Sequence, residues 1–223
     1  MHFEVPKAKK FKEFGGEYVM IVISILTALA LEAGVEKLHH DHLAHQAVEQ
    51  IDAEMRMNLA EIKEVFAHNE QKKQALIAAQ EQMLAALKSH VTDKVFIDRF
   101  EHEWHTAVDM SLYSPSLRRE AWEAAVASQA VTWMPHETLE RYADAYAETR
   151  DVGALLNGGS MNFLDGPRMK DVFSNVQMGV GDPKDIYRIV SQMITAYGSF
   201  DGNLKILQSK LENASAASHH GKS

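Results

Sequence analysis

The chain has 223 residues, no cysteine and a formal charge of −8. Without a thiol, disulfide, thiolate-metal and thiol redox chemistry are excluded, and burial alone must hold the fold. In residues 1–35 four lysines (Lys7, Lys9, Lys10, Lys12) are matched by four glutamates (Glu4, Glu13, Glu17, Glu32), so the whole acidic balance belongs to residues 36–223. Such a domain repels a phosphate backbone, which argues against a nucleic-acid partner.

Residues 1–17 form a basic leader, and an apolar run follows from Tyr18 to Val35 with no charge before Glu32. Eighteen helical residues span about 27 Å, close to the ~30 Å hydrocarbon core of a bilayer. Phe11, Phe14 and Tyr18 stand where an interfacial aromatic belt belongs. The leader lysines face only Lys37 in the first stretch after the run, so the positive-inside rule predicts a cytoplasmic N-terminus and an exported remainder. This places the chain in a bacterial inner membrane as a single-pass protein with a periplasmic domain. A cleaved signal peptide, with Ala28-Leu29-Ala30 as its cleavage site, is the rival reading, and a buried soluble helix is a third. The first two export the same residues and differ only in the tether.

From Val35 to His90 there is neither Gly nor Pro, and strong helix formers dominate. A seven-residue stripe runs Val48, Met55, Ile62, Asn69, Leu76, Met83, flanked by Ile51, Leu59, Val65, Phe66, Ala79 and Leu87. The anchor therefore continues into a long amphipathic helix. Asn69, Lys72 and Lys73 interrupt the stripe and predict either a bend near His68–Lys73 or two antiparallel helices. Val91-Thr92-Asp93 reads as a capped break, and a second helix from Lys94 stacks Phe96, Phe100, Trp104 and Val108. Ser114-Pro115 ends it and opens a third, Leu117 to Met134, burying Leu117, Ala121, Trp122, Ala125 and Val126. Pro135 opens a fourth, with Leu139, Tyr142, Tyr146 and Val152 on one face. Residues 157–167 read as a loop and 168–177 as a short helix stopped by Gly179 and Gly181. Asp182-Pro183 caps a last helix through about Leu211, with Ile186, Ile189, Val190, Met193, Ile194, Tyr197, Leu204 and Leu207 inward. No alternating strand pattern occurs, so the class is all-α, with a bundle over 36–212 and a disordered polar tail over 213–223.

The densest candidate site is His39-His40-Asp41-His42-Leu43-Ala44-His45. His39, His42 and His45 are candidate metal ligands, although one helix face supplies fewer convergent donors than zinc requires. Glu36-x-x-His39 has no second copy, as a di-iron bundle demands, and His102-Glu103-Trp104-His105 lacks zincin spacing. Asn157-Gly158-Gly159-Ser160 is no phosphate loop, and no nucleophile elbow is present. No catalytic residue and no cofactor is expected. The pairs Ala30/Gly34 and Ser24/Ala28 would let two anchors approach closely.

The segment from Lys10 to Glu32, followed by Ile51-Asp-Ala-Glu-Met-Arg-Met-Asn-Leu, resembles an uncharacterised bacterial family of single-pass, N-terminally anchored helical proteins, a domain of unknown function. Ala121-Trp122 to Ser128 and Leu139 to Tyr146 are similar to that family's second helical block. The resemblance implies topology and no catalytic residue. The expected function is an interaction or scaffold domain, partnered by the bilayer and by a second copy or another membrane protein. The alternative is a periplasmic ligand-sensing bundle acting through a partner, with a pocket near Trp104, Trp122, Trp133, Tyr142 and Tyr146; a His-cluster metal protein is a further one.

Overall fold

The computed structural model describes residues 11–108, 111–157 and 166–218. All regular structure among them is helical. Helix α1 runs unbroken over Phe11–Lys88, α2 over Asp93–Arg99, α3 over Glu120–Ala127, α4 over His136–Asn157, α5 over Gly166–Gln177 and α6 over Pro183–Ser218. A π-turn, Phe100–Trp104, and a 3-10 turn, His105–Ala107, extend α2, and a second 3-10 turn covers Ala130–Trp133. Of the leader, residues 1–10 lie outside the described residues and 11–17 are the start of α1; of the expected loop at 157–167, residues 158–165 lie outside them, and 157, 166 and 167 belong to α4 and α5.

Helix α1 is the spine, and the legs that follow run alternately back and forth along it. The descending leg, residues 93–133, pairs with progressively earlier positions of α1. The Trp104 indole N–H donates to Gln82 Oε1 (2.9 Å), the Tyr113 amide to Asn69 Oδ1 (3.0 Å) and the Arg118 amide to Asn58 Oδ1 (2.9 Å). Helix α4 then runs in the direction of α1, its Tyr142 and Tyr146 hydroxyls donating to Asp52 and Glu54. Helix α6 returns antiparallel, Lys73 donating to Asp201 (2.8 Å) and Gln80 to Ser191 (2.7 Å). The result is an up-down-up-down bundle in which one leg is only partly helical.

The non-helical part of that leg, residues 111–119, corrects two expected boundaries: the second helix does not run on to Ser114, and the third does not begin at Leu117. Here the backbone is extended and makes no ladder of its own, so its amides and carbonyls need other partners. The side chains of α1 supply them. Asn58 and Asn69, both fully buried, each accept from one backbone N–H and donate Nδ2 to the carbonyl of the same residue, Arg118 (2.9 Å) and Tyr113 (2.8 Å). Between and beyond them, Glu61 accepts from the Ser116 amide (2.7 Å), Lys72 donates to the Ser111 carbonyl (3.0 Å) and Glu54 accepts from the Ala121 amide (2.8 Å). The spacing is commensurate: the eleven residues from Asn58 to Asn69 rise about 16.5 Å along a helix, and five extended residues cover about the same distance. Buried Pro115 needs no donor partner within this strap.

Asn69 and Lys73 also explain why α1 does not bend near 68–73. The polar residues there are not a helix end but a polar layer between two apolar clusters. One cluster gathers Ile51, Met55, Ile62 and Val65 with Tyr142, Tyr146, Leu204, Leu207 and Leu211. The other gathers Leu76, Met83, Phe96, Phe100 and Trp104 with Met169, Val176, Ile186, Ile189 and Met193. Between them the Lys73 ammonium pairs with Asp201 and with Glu70 (2.6 Å), which raises its pKa.

The ends of the helices follow local chemistry. His90 adopts a left-handed φ of 53° at the end of α1, and the Val91 amide returns to the Ala86 carbonyl. Thr92 Oγ1 caps α2 by accepting from the Val95 amide, and the Asp182 carboxylate accepts from the Lys184 amide (2.8 Å) at the start of α6. Gly179, at φ 72°, closes α5 with the same motif as His90, where a side chain would cost about 1–2 kcal/mol. Helix α3 is shorter than expected because Gln129 turns left-handed (φ 61°), and Val126 is exposed. Helix α6 extends past Leu211, so residues 213–218 are helical where a disordered tail was expected; Ala214 is buried in the first cluster.

Removing either clamp strands one N–H and one C=O of the strap. Asn58→Ala and Asn69→Ala are each expected to destabilise the full chain by about 2–6 kcal/mol, taking about 1–3 kcal/mol for each of the two unsatisfied groups. Urea unfolding in detergent measures this, and hydrogen exchange at the Tyr113 amide should accelerate in the Asn69 variant first. A loss below about 1 kcal/mol would show that water replaces the asparagine without penalty.

Candidate functional site at the helix exit

Helix α1 leaves the bundle toward its own N-terminus. Ala44 and Ala47 are the first buried positions among the described residues, whereas Tyr18, Met20, Ile23, Leu26, Leu31, Val35 and Leu38 are 58–71% exposed. Between Tyr18 and Leu38 the helix thus carries eleven large apolar side chains that are exposed. This stretch is long and apolar enough to cross a membrane. Ser24 and Thr27 turn their hydroxyls back to the carbonyls of Met20 and Ile23 (both 2.8 Å), so the run's own polar groups are satisfied within the helix.

At the exit the His40 imidazole stacks on the Trp133 indole, with ring centroids 3.7 Å apart and planes 7° from parallel. Trp133 is held there by its surroundings. Left-handed Gln129 starts the 3-10 turn, buried Met134 pins its end, and Pro135 forces Met134 into extended backbone (ψ 151°). Despite the stack, Trp133 remains 49% exposed. Ala33, Glu36, Lys37, His40, Asp41 and Trp133 surround an open cavity of 430 Å³.

The three histidines named as metal candidates are not drawn together with carboxylates. His39 and His42 are exposed; His45 meets Glu49 (Nε2–Oε1 3.3 Å). Among the described residues no three His, Asp or Glu side chains are placed to hold a metal ion. The expected aromatic pocket also separates. Trp104 lies in the distal cluster, Trp133 at the helix exit, and only Trp122, Tyr142 and Tyr146 pack together, Trp122 stacking on Tyr146 at 5.2 Å. In that packing Tyr142 and Tyr146 are buried.

Beneath the exit lie two carboxylates that sequence reasoning passed over. Asp52 and Glu54 are 8% and 4% exposed. Tyr142 donates to Asp52 Oδ1 (2.8 Å) and Tyr146 to Glu54 Oε1 (2.6 Å), while Glu54 Oε2 takes the Ala121 amide. Burial first, and then the hydrogen bond to a neighbouring carboxylate, drives both phenol pKa values far above the usual 10. The carboxylates join three legs of the bundle. Four-residue spacing of Tyr142 and Tyr146 against a carboxylate pair was the available signal.

Compared with known proteins, the chain matches no family model, no curated protein and no solved structure.

The tyrosines fix the sign of the alkaline limb. Their folded-state pKa values are raised, so their contribution is present in full below the unfolded value of about 10 and is lost as pH rises beyond it. Lys73, also raised, acts in the same direction. Melting temperature should fall steeply above about pH 10, and absorbance at the phenolate band should show two of the six tyrosines ionising only with unfolding. Tyr142→Phe should flatten that limb.

Proposed function

We propose that this chain is a single-pass inner-membrane protein with residues 18–35 as an uncleaved anchor, a cytoplasmic leader and an exported helical bundle that acts as an interaction or scaffold module, self-associating or joined to another membrane protein. The observation that carries this is the continuity of α1. The unpacked apolar stretch and the spine of the bundle are one helix, with no hinge residue between them. An apolar surface of that length is unfavourable in water and favourable in lipid. Continuity also supports retention over cleavage: cutting after Ala30 would leave Leu31, Val35 and Leu38 bare on the stub.

A ligand-sensing bundle is the second reading, and one feature favours it. A cleft of 360 Å³ opens at the far end between Phe100, His105, Phe173 and Gln177, away from the aromatic group first expected to form a pocket.

The absence of native cysteine makes topology directly testable. Ser209→Cys should react with a membrane-impermeant maleimide in intact spheroplasts, and Ala8→Cys only after lysis; alkaline washing should leave the full-length chain in the membrane. The inverse labelling would overturn the orientation. A soluble product beginning near residue 31 would replace the anchor by a signal peptide. Crosslinking in membranes should recover a homo-oligomer or one fixed partner, and a lone monomer would remove the scaffold role.

A further inference from the structure

The helix exit carries a chemistry that the anchor alone does not require. From the first residue after Val35, α1 presents Glu36, Lys37, His40 and Asp41, and Trp133 comes from a different leg of the bundle to complete the wall of the 430 Å³ cavity. At about 1.5 Å per residue, Glu36 to Asp41 lies about 1.5–9 Å beyond Val35. The headgroup layer of one leaflet is about 5–8 Å thick, so the cavity coincides with it. Tryptophan is the side chain best suited to that depth, with an apolar ring and a polar N–H. Here the ring is braced on one face by His40 and half-exposed, and it sits on a turn fixed by Gln129, Met134 and Pro135.

We infer that this cavity is a phospholipid-headgroup site, that its ligand is a bilayer lipid bearing both a phosphate and a primary ammonium, and that Trp133 is a second point of membrane attachment. The inference rests on the anchor reading above. The charges lining the cavity match such a headgroup in sign: Glu36 and Asp41 suit an ammonium, Lys37 suits a phosphate, and the Trp133 ring attracts a cation. A purely anionic headgroup would meet two carboxylates with no second positive charge of its own. A single helix is free to rotate about its axis and tilt; a second contact on another leg removes that freedom and sets the bundle's orientation on the bilayer.

The test uses the full chain reconstituted in vesicles. Lipids carrying a nitroxide on the headgroup should quench tryptophan emission strongly, and most of that quenching should vanish in Trp133→Phe, since Trp104 is buried at the far end and Trp122 is stacked on Tyr146 against the core. Native mass spectrometry of protein extracted from mixed phosphatidylethanolamine and phosphatidylglycerol vesicles should show the former retained in several-fold excess. That excess should fall to the bulk ratio in the Glu36→Gln, Asp41→Asn double variant, whose sites are exposed. Equal quenching of the native chain and Trp133→Phe, with both still held in the vesicles, would overturn the headgroup site and leave the anchor standing. So would retention that follows the bulk ratio in the native chain. Loss of the native chain from vesicles on alkaline washing would overturn both.

Discussion

An extended backbone laid against a helix has no periodic hydrogen-bond partner, and this bundle depends on how α1 solves that problem for residues 111–119. Helix backbone groups are already paired with each other, so only side chains can serve. Asparagine is well suited, because its amide presents one donor and one acceptor side by side, as a peptide group does. Two such clamps eleven residues apart, with Glu54, Glu61 and Lys72 filling in, hold the strap in a single register. A slip by one strap residue would break both clamps together.

That register propagates toward the end where α1 leaves the bundle. Because Arg118 is tied to Asn58 and Ala121 to Glu54, α3 starts where its Trp122 meets Tyr146 and its Ala125 enters the core. The 3-10 turn after it then brings Trp133 onto His40. The placement of the tryptophan at the helix exit is thus a consequence of polar contacts made far along α1, and not of local propensity. The same contacts divide the core into two apolar clusters, with the Lys73–Asp201 pair between them. Buried charged pairs add little net stability, yet losing one partner is costly, so the layer serves chiefly to fix how α6 lies along α1.

Asp52 and Glu54 extend this logic. Two carboxylates two residues apart point to different sides of a helix, and each is met by a phenol from α4. Desolvation of these groups is offset by short hydrogen bonds that an apolar pair could not make. The arrangement ties α4 to α1 at defined heights, below the exit where the lipid contacts are proposed.

Most helix positions, the continuity of the apolar run with the helix that follows it, and most of the α6 face were legible in the sequence, because each is written in local propensity and 3.6-residue periodicity. The loss of regular structure at 111–119 was not. Leu117 to Met134 has helix-compatible composition, and only the presence of Asn58 and Asn69 across the interface makes an extended path cheaper than a helix there. Asn69, Lys72 and Lys73 read as an interruption because a polar residue in a stripe looks the same whether it ends a helix or satisfies a neighbour's backbone. The histidine cluster was visible as a motif, but spacing along one helix does not say which ring meets another leg; His40, stacked on Trp133 ninety-three residues away, is the one that does. Local sequence determined what each segment is and that α1 carries a membrane-length apolar surface. The tertiary structure alone decided which polar groups of α1 are buried and what they hold, since a hydrogen bond across an interface depends on two segments whose approach neither one encodes.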